Sequence, residues 1–279
     1  MEIIESFATL SPCWNTNIYQ QGLAPDKRDT RYNQYYNLFA QKKIKLMLHS
    51  LGCPRASADY QSQRWNVATN TSAIAHAVID SNDGIARQNL RWDMRGWHCC
   101  DPGNNTHVGV EMCESDKIKY RTDKPWLFDI LDRPTVERHC RTAYNGAVEL
   151  FAYLCNLFSL DPLKDICSHK EGHAMGIASN HGDPEHYWTG VGLGYTMDGF
   201  RADVKAAMAS ASVPATTAAG FLGFPDVSAD DWYADALKWA VEHNVILQSG
   251  KPFYPDNPFT KAAAVVLLRR MWNAIQKEG

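Results

Sequence analysis

The chain has 279 residues, of which 45% are hydrophobic and 21% are charged, and its formal net charge at pH 7 is -3. This length and balance predict a globular protein with one large domain and one small domain. The low net charge excludes a strongly basic surface for nucleic acid. No apolar run approaches the roughly 18 residues that a membrane span needs. We therefore expect neither nucleic acid nor a membrane as a partner.

The N-terminus and the cysteines bear on where the protein accumulates. The first ten residues, MEIIESFATL, contain two glutamates and no basic residue, which is not the pattern of a secretory signal peptide. The eight cysteines include no Cys-x-x-Cys pair, and several lie in apolar patterns. Most are expected to be reduced core residues, which indicates a reducing compartment and argues against a zinc-thiolate cluster.

The first strong structural signal is a short apolar run that ends in a histidine. Residues 1–43 are rich in Asn, Gln and Tyr without clear periodicity, and we interpret them as a lead-in arm. Residues 45–48 are typical of a buried strand, and His49 follows at the point where turn-forming residues begin. A histidine in this position faces a site more often than a core. A short helix is expected before Trp65.

The middle of the chain predicts three further strands. Residues 72–80 form one candidate, and an Asp-Gly turn connects it to a second over residues 85–90. Residues 97–113 combine a Gly/Asn loop with an apolar strand that Glu111 interrupts. That carboxylate either alternates out to solvent or points into a site, where burial would raise its pKa toward use as a general base. Spacing alone leaves both interpretations open.

Two helices are predicted after this point. Residues 134–160 carry a long amphipathic pattern, with Pro134 in the first turn, and predict a helix that covers a sheet. Its apolar positions are Val136, Cys140, Tyr144, Ala147, Leu150, Phe151 and Leu154. A last helix of this domain is expected from about residue 195 to Met208, with Asp198 as its candidate cap.

Residues 166–188, ICSHKEGHAMGIASNHGDPEHYW, contain four of the ten histidines together with several carboxylates. Imidazole and carboxylate are the ligands of a catalytic zinc that keeps one position open. We interpret this stretch as half of a metal site, and His49 is the candidate from the other half.

Several motifs, in order, carry a family resemblance: LHS, HAVID, WHCC, NNTHVGVE and SHKEG...ASNHGDPEHYW. Over roughly residues 10–208 they resemble the zinc-dependent N-acetylmuramoyl-L-alanine amidases of the type-2 amidase family, which is related to the peptidoglycan recognition proteins. The resemblance implies an α/β fold, with a mixed central sheet flanked by helices and a zinc ion at one end. It also implies endolysin-like cleavage of the amide between N-acetylmuramic acid and L-alanine of peptidoglycan.

The ligands of this family fall on His49, His169 and Asp183. The separation between His169 and Asp183 is longer than is usual in the family, so His173 and His181 remain rivals for the second ligand. The alternative function is a peptidoglycan-recognition module of the same fold that does not cut. Asp183 before proline favours the enzyme, because non-catalytic members lack the third ligand.

The resemblance also implies roles for other residues. Glu111 matches the catalytic glutamate of the family. His181 matches a position, often lysine in the family, where a basic residue stabilises the oxyanion, and a histidine there is expected to do so only when protonated. Residues expected to line or support the substrate cleft are His76, Trp97, His98 and Asn105. The histidines expected to be surface or structural residues are His107, His139, His173 and His186.

After residue 208 the composition changes to small residues. We expect domain boundaries at 1–208 for the catalytic domain, 209–220 for a linker, and 221–279 for a small α-helical C-terminal domain. A first helix of that domain should carry Trp232, Ala236, Trp239 and Ala240 on one side. A second helix should begin near Thr260.

This tail resembles one S-layer homology repeat, a family that binds cell-wall polysaccharide. The residues expected to contact the wall are Trp232, Trp239 and Lys261. A single copy is near the size limit for a stable core, so we expect chains to form a homo-oligomer through it. A degenerate oligomerisation hairpin that binds no glycan is the alternative. The protein is expected to accumulate in the cytoplasm and to act on the cell wall after release.

Overall fold

The computed structural model of the chain describes residues 2–212, 227, 234–242, 245–246, 268 and 271. The chain divides into two compact units, Met1–Ala211 and Ser212–Gly279. The strands are β1 (Ile3–Glu5), β2 (Lys45–Ser50), β3 (Ala77–Ile79), β4 (Ala86–Gln88), β5 (His107–Met112), β6 (Ile118–Tyr120), β7 (Phe128–Ile130) and β8 (Ile166–Ser168). The helices are α1 (Pro12–Gly22), α2 (Thr30–Ala40), α3 (Ala58–Trp65), α4 (Arg133–Phe158), α5 (Pro162–Asp165), α6 (His169–Ala174), α7 (Glu185–Val191), α8 (Met197–Ser212) and α9 (Ala234–Glu242).

Six strands of the first unit form a mixed sheet in the order β1-β4-β3-β5-β2-β8. The β3–β4 pair is antiparallel, as the Asp83-Gly84 turn predicted, and the other pairs in this sheet are parallel. Strands β6 and β7 form a separate antiparallel pair. The predicted mixed sheet flanked by helices is confirmed.

The two faces of the sheet have different occupants. Side chains alternate along a strand, so Leu46 and Leu48 of β2 enter the core beneath α4, while Met47 and His49 point to the opposite face. In β5 the same alternation places Glu111 on the face of His49. The candidate site therefore lies on the face that α4 does not cover, at the carboxyl end of the central strands.

Helix α4 confirms the predicted amphipathic pattern. All seven of its predicted apolar positions are buried against the sheet. Burying a large aliphatic or aromatic side chain contributes about 1.5–3 kcal/mol each, which is why this stripe, rather than helix propensity, fixes α4 in place. The helix ends at Ser159, whose φ of 58° is left-handed.

The prediction for residues 1–43 is wrong, because β1, α1 and α2 lie there. Both helices have side-chain caps: Ser11 accepts a hydrogen bond from the Trp14 amide, and Asp29 accepts one from the Arg31 amide. Their buried faces use polar and aromatic residues, such as Asn17 and Tyr35, in place of aliphatic ones. Hydrophobic periodicity was therefore too weak to reveal them.

The end of the first unit also differs from prediction. Thr196 caps α8 by accepting a hydrogen bond from the Gly199 amide, while Asp198 lies inside the first turn and pairs with Arg201. The helix continues to Ser212, so the first four residues of the predicted linker are helical. The other domain boundaries stay a prediction.

The second unit contains α9, whose buried residues are Ala234, Leu237 and Ala240. Ala236 is exposed, so it does not share the burial of Ala240, which was predicted on the same side of the helix. Trp239 is half-buried and packs on a small cluster formed by Ala240 and Val245. The predicted helix start at Thr260 and the predicted wall-contact residues Trp232 and Lys261 lie outside the described residues.

Two expectations from composition can be compared with the described residues. All eight cysteines are unpaired, and six of them are buried, as expected for core thiols. Within the described part of the chain, no helix combines the length and apolar character required to cross a membrane.

Candidate metal centre

Three buried side chains from distant parts of the sequence meet at one end of the sheet. His49 is near the end of β2, His169 begins α6 immediately after β8, and Asp183 lies in the loop before α7. Because β2 and β8 are parallel neighbours, their carboxyl ends lie side by side. A hydrogen bond from the Lys170 amide to the Asp183 carbonyl ties the third residue to α6.

The donor atoms of these three residues converge. The Nδ1 atoms of His49 and His169 are 3.0 Å apart, and Asp183 places its carboxylate oxygens 3.3 Å and 3.5 Å from them. All three ligand atoms lie within 4.8 Å of one another. Ligands at about 2.0–2.1 Å in a tetrahedral zinc site are separated by about 3.3 Å. The donor set and its spacing therefore fit a zinc ion with an open position.

The outward nitrogens of both histidines are held by other side chains. Nε2 of His49 hydrogen-bonds with Nδ1 of His98 at 2.9 Å, and Nε2 of His169 hydrogen-bonds with the Ser179 hydroxyl at 3.0 Å. Such partners fix the ring orientation, which here directs Nδ1 inward. The His98 ring in turn packs on Gly109, where a Cβ would come within 2.4 Å of it.

The electrostatic environment favours the ligand forms of these groups. Burial lowers the pKa of His49 and places the pKa of His98 well below its usual range, so both rings are neutral near pH 7. Burial alone would raise the pKa of Asp183, but the hydrogen bonds and charge that His169 and His49 supply in their protonated forms lower it below its ordinary value. A neutral imidazole beside an ionised carboxylate is the state that binds a cation.

Glu111 points into this site rather than to solvent, which decides between the two interpretations of its position. It pairs in register with His49 across β2 and β5, and its Oε2 atom is buried without a hydrogen-bond partner among the described residues. Burial raises the pKa of Glu111 well above its usual value, and the carboxylates of Asp183 and Glu114 raise it further. The arrangement gives a proton acceptor beside the metal ligands.

The two rival histidines have different positions. His173 is exposed on α6, and its ring contacts the Ala178 carbonyl. The side chain of His181 is 51% exposed, and its Nδ1 lies 3.8 Å from Asp183. Neither belongs to the group of ligand atoms that converge in the described residues. Burial, followed by the charge of His169, lowers the pKa of His181.

The residues predicted to line the cleft mostly support it. His76 has no exposed surface, accepts a hydrogen bond from the Gly109 amide, and bonds with the Met94 carbonyl. Asn105 is buried and accepts a hydrogen bond from Arg95, while Trp97 donates one to Tyr32. Their contact with substrate stays a prediction, and burial rules out a direct contact for His76 in this conformation.

The four histidines expected to be surface or structural residues have such positions, and His173 is the one on the surface. His107 hydrogen-bonds with Thr106, His139 with Ser115, and His186 with Tyr120. All three have little exposed surface, and burial lowers the pKa of each.

Sequence reasoning missed a second buried carboxylate, Glu114. It accepts hydrogen bonds from the Ser50 hydroxyl at 2.7 Å, the Gly52 amide at 3.1 Å and the Tyr120 hydroxyl at 2.7 Å. Ser50 also donates its amide to Asp183 at 3.3 Å, so Glu114 is connected to the metal ligands through one residue. The available signal was its place three residues after Glu111, directly beyond the strand.

A cavity of about 630 Å³ lies elsewhere in the first unit. Its lining includes Lys45 and His107, which begin β2 and β5, and none of the three candidate ligands. The convergence of donors, rather than cavity size, therefore identifies the site.

Residues 41–186, more than half of the chain, match the family model Amidase_2, N-acetylmuramoyl-L-alanine amidase. The protein belongs to this family, which confirms the resemblance inferred from the motifs and identifies a peptidoglycan amidase. Residues 223–265 match the S-layer homology domain, which confirms the second resemblance.

The chain is also similar to several solved structures. The catalytic domain of XlyA is 18% identical with a TM-score of 0.45, and the match covers 73% of this chain and 99% of that one. A mutant endolysin from Bacillus subtilis is 18% identical with a TM-score of 0.44, with 73% and 99% coverage. Staphylococcus aureus hydrolase AmiA, solved in complex with its ligand, is 16% identical with a TM-score of 0.44, and 60% of this chain and 74% of that one are covered. A search of curated proteins finds no match.

Proposed function

We propose that this amidase-family protein is a zinc-dependent enzyme that hydrolyses the amide between N-acetylmuramic acid and L-alanine of the stem peptide. The observation that carries the proposal is the convergence of His49, His169 and Asp183 beside Glu111, whose buried Oε2 atom has no hydrogen-bond partner among the described residues. A module that only recognised peptidoglycan would have no need for this carboxylate, whose burial carries a desolvation cost.

The proposed zinc ligands are His49, His169 and Asp183. Bound there, zinc would polarise the substrate carbonyl as a Lewis acid and would lower the pKa of water enough for it to act as a nucleophile near neutral pH. His98 and Ser179 keep the two imidazoles in the ligand orientation. Asp183 contributes the negative charge that offsets the charge of the cation.

Glu111 acts as the general base. Its raised pKa allows it to accept a proton from water as the water oxygen bonds to the lactyl carbonyl carbon. It then donates that proton to the alanine nitrogen as the carbon–nitrogen bond breaks. The products are a muramoyl carboxylic acid and a peptide with a free L-alanine amino terminus.

His181 is proposed to hydrogen-bond the carbonyl oxygen as negative charge develops on it. Its half-exposed ring lies tilted beside that of His169, with ring centroids 4.5 Å apart, so it borders the open side of the site. Because its pKa is lowered, the neutral ring rather than imidazolium would donate this hydrogen bond.

The Glu111→Gln variant tests the enzyme against the recognition module. Glutamine preserves size but cannot accept the proton, so turnover on purified cell walls should fall about 10²–10⁴-fold while zinc content stays at the wild-type level. Zinc is measured by elemental analysis, and turnover by mass analysis of peptides with a free L-alanine amino terminus.

Glu149→Gln, an exposed change on α4, is the matched control and should leave both measurements unchanged. Wild-type turnover by Glu111→Gln would remove Glu111 from the mechanism. If the wild-type protein released no such peptides while binding walls, the recognition module would be the correct function.

For the second unit, we propose that the S-layer homology domain binds wall polysaccharide and also joins chains into a homo-oligomer. Trp232, Trp239 and Lys261 are the proposed wall contacts. A single matched region of this kind offers little core for independent stability, which a partner copy would supply. Several catalytic units on one oligomer would gain avidity for a repetitive wall.

Deletion of residues 213–279 tests this proposal, since it leaves every candidate catalytic residue in place. We expect the full chain to scatter light as an oligomer and the shortened chain as a monomer with weaker wall pull-down. Cleavage of small soluble muropeptides should be unchanged. A monomeric full chain whose wall binding survives the deletion would contradict both roles.

The substrate places the action of the protein at the bacterial cell wall. We propose that the protein first accumulates in the reducing cytoplasm, because all eight of its cysteines are unpaired. Thiol labelling of protein taken directly from producing cells should then modify the exposed Cys100 quantitatively.

A further inference from the structure

A second cavity, of about 410 Å³, adjoins the candidate metal centre. Lys170 and Gly182 contribute to its lining, and they are the chain neighbours of His169 and Asp183. Trp126 also lines this cavity, and its ring centroid is 5.8 Å from that of His181. The volume is within the range of about 300–1,000 Å³ that small-molecule sites occupy. The cavity is thus an extension of the site rather than a separate feature.

Trp126 presents a large apolar ring beside this cavity. It belongs to the segment between β6 and β7, and it is 45% exposed although its ring also contacts His186 at a centroid distance of 5.6 Å. Exposure of so much aromatic surface beside a reactive site indicates a binding role.

Two glycines contribute to the lining of the cavity, and an aromatic ring lies close to each. A Cβ on Gly182 would lie 4.0 Å from the Trp126 ring, and a Cβ on Gly190 would come within 2.4 Å of the Phe128 ring. The Phe128 ring therefore packs directly on the backbone at Gly190, whereas the Trp126 ring stays at van der Waals distance from that position of Gly182.

The charges of the cavity favour a neutral occupant. Lys170 and Glu185 contribute one charge of each sign, and Thr189 adds a neutral hydroxyl. Within the described residues the Lys170 ammonium forms no ion pair, so it is available as a hydrogen-bond donor. The stem peptide carries carboxylates and would require an excess of positive charge, whereas an N-acetylated sugar is neutral and has one apolar ring face.

We propose that this cavity is a saccharide subsite in which an N-acetylated sugar of the glycan strand stacks on Trp126 while Lys170 and Thr189 bond its polar edge. The assignment of the sugar to the glycan strand rests on the proposed function. The subsite would hold the sugar side of the substrate and so orient the lactyl carbonyl toward Glu111.

The test is binding of a neutral sugar that cannot be cleaved. Calorimetry with the trimer of N-acetylglucosamine should show binding to the wild type. Its affinity should fall about tenfold in Trp126→Ala and less than about threefold in Trp126→Phe. Leu131→Ala, which removes another exposed apolar side chain just beyond β7, is the matched control and should have no effect. Binding of the dipeptide L-alanyl-D-glutamate should be the same in all variants.

Three results would overturn the proposal: no binding of the trimer, equal binding by wild type and Trp126→Ala, or a loss confined to the dipeptide. Sugar binding by the second unit would not change with Trp126, so it cannot imitate the expected result. Neither probe contains the scissile amide. A Glu111→Gln variant with normal turnover would therefore refute the proposed mechanism without affecting this result.

Discussion

Asp183 and Glu114 are both buried carboxylates, and Ser50 contacts both of them, yet their pKa values shift in opposite directions. Asp183 lies between two imidazoles, and its pKa is lowered. Glu114 accepts hydrogen bonds from two hydroxyls and an amide, with the His186 imidazole 3.6 Å away, and burial raises its pKa to about 7. Burial is common to both, so the difference comes from the partners.

This contrast bears on which of the two clusters is suited to bind a cation. The carboxyl group of Glu114 accepts hydrogen bonds from neutral groups, so it can remain buried as a structural element. Around Asp183 and the two histidines, three candidate ligand atoms face one another, and a shared positive charge would stabilise this arrangement. Asp183 is therefore the carboxylate that we propose as the ligand, and Glu114 is the one that we propose as its support.

The largest expected effect, on zinc content and turnover, follows from removing the negative charge of Asp183. Asp183→Asn should abolish stoichiometric zinc and reduce turnover by about 10³-fold or more, because an amide is a weaker ligand and offsets no charge. Elemental analysis and peptide release measure the two quantities. Asp198→Asn, at a side chain that is 94% exposed, is the control. Full zinc occupancy in Asp183→Asn would show that another residue is the third ligand.

The next effect is on stability, and its sign follows from the raised pKa of Glu114. The folded state holds this proton up to about pH 7, while the unfolded chain loses it near 4.5, so the folded state binds more protons between those values. Stability from this group is thus lost as the pH rises through the window. The total change is at most about 3 kcal/mol.

Glu114→Gln removes this titration and keeps a carbonyl oxygen for Ser50 and Gly52. Urea unfolding between pH 5 and pH 8 should therefore show a stability difference between variant and wild type that shifts in favour of the variant as the pH rises. A difference that stays constant across this window would mean that Glu114 does not titrate there.

The smallest expected effect is on zinc affinity, through a hydrogen bond that supports one candidate ligand. Ser179→Ala removes the hydroxyl that bonds Nε2 of His169, and zinc affinity should fall about tenfold, at the lower end of the range for such partners. Chelator competition measures this change. Ser72→Ala, on an exposed loop, is the control. An unchanged affinity would show that α6 alone orients His169.

The sequence was most informative where a local pattern directly reflects the fold. The apolar run before His49 predicted a strand end, and the repeat in residues 134–160 predicted α4, because burial on one face imposes these periods. The family motifs then placed His169 and Asp183, although nothing in the spacing itself chose His169 over His173. That choice depends on the β2–β8 pairing and on the turn at the start of α6.

Other features had no local signal. The position of Glu111 depends on the parallel register with β2, which a single strand does not encode. The Glu114 network joins residues 50, 52, 114 and 120, and Trp126 matters only because the β6–β7 segment lies beside His181. Helices α1 and α2 were not predicted, because tyrosine and asparagine on their buried sides give a weak hydrophobic periodicity.

The distance in sequence between the three candidate ligands has a consequence for synthesis. His169 follows its partner His49 by 120 residues, and Asp183 follows its partner Ser50 by 133 residues, so both are synthesised later. A chain emerging from the ribosome from its N-terminus therefore has most of the sheet before it has a complete set of ligands. The nascent protein would be catalytically inert until α7 has left the exit tunnel, a safeguard that requires no inhibitory segment.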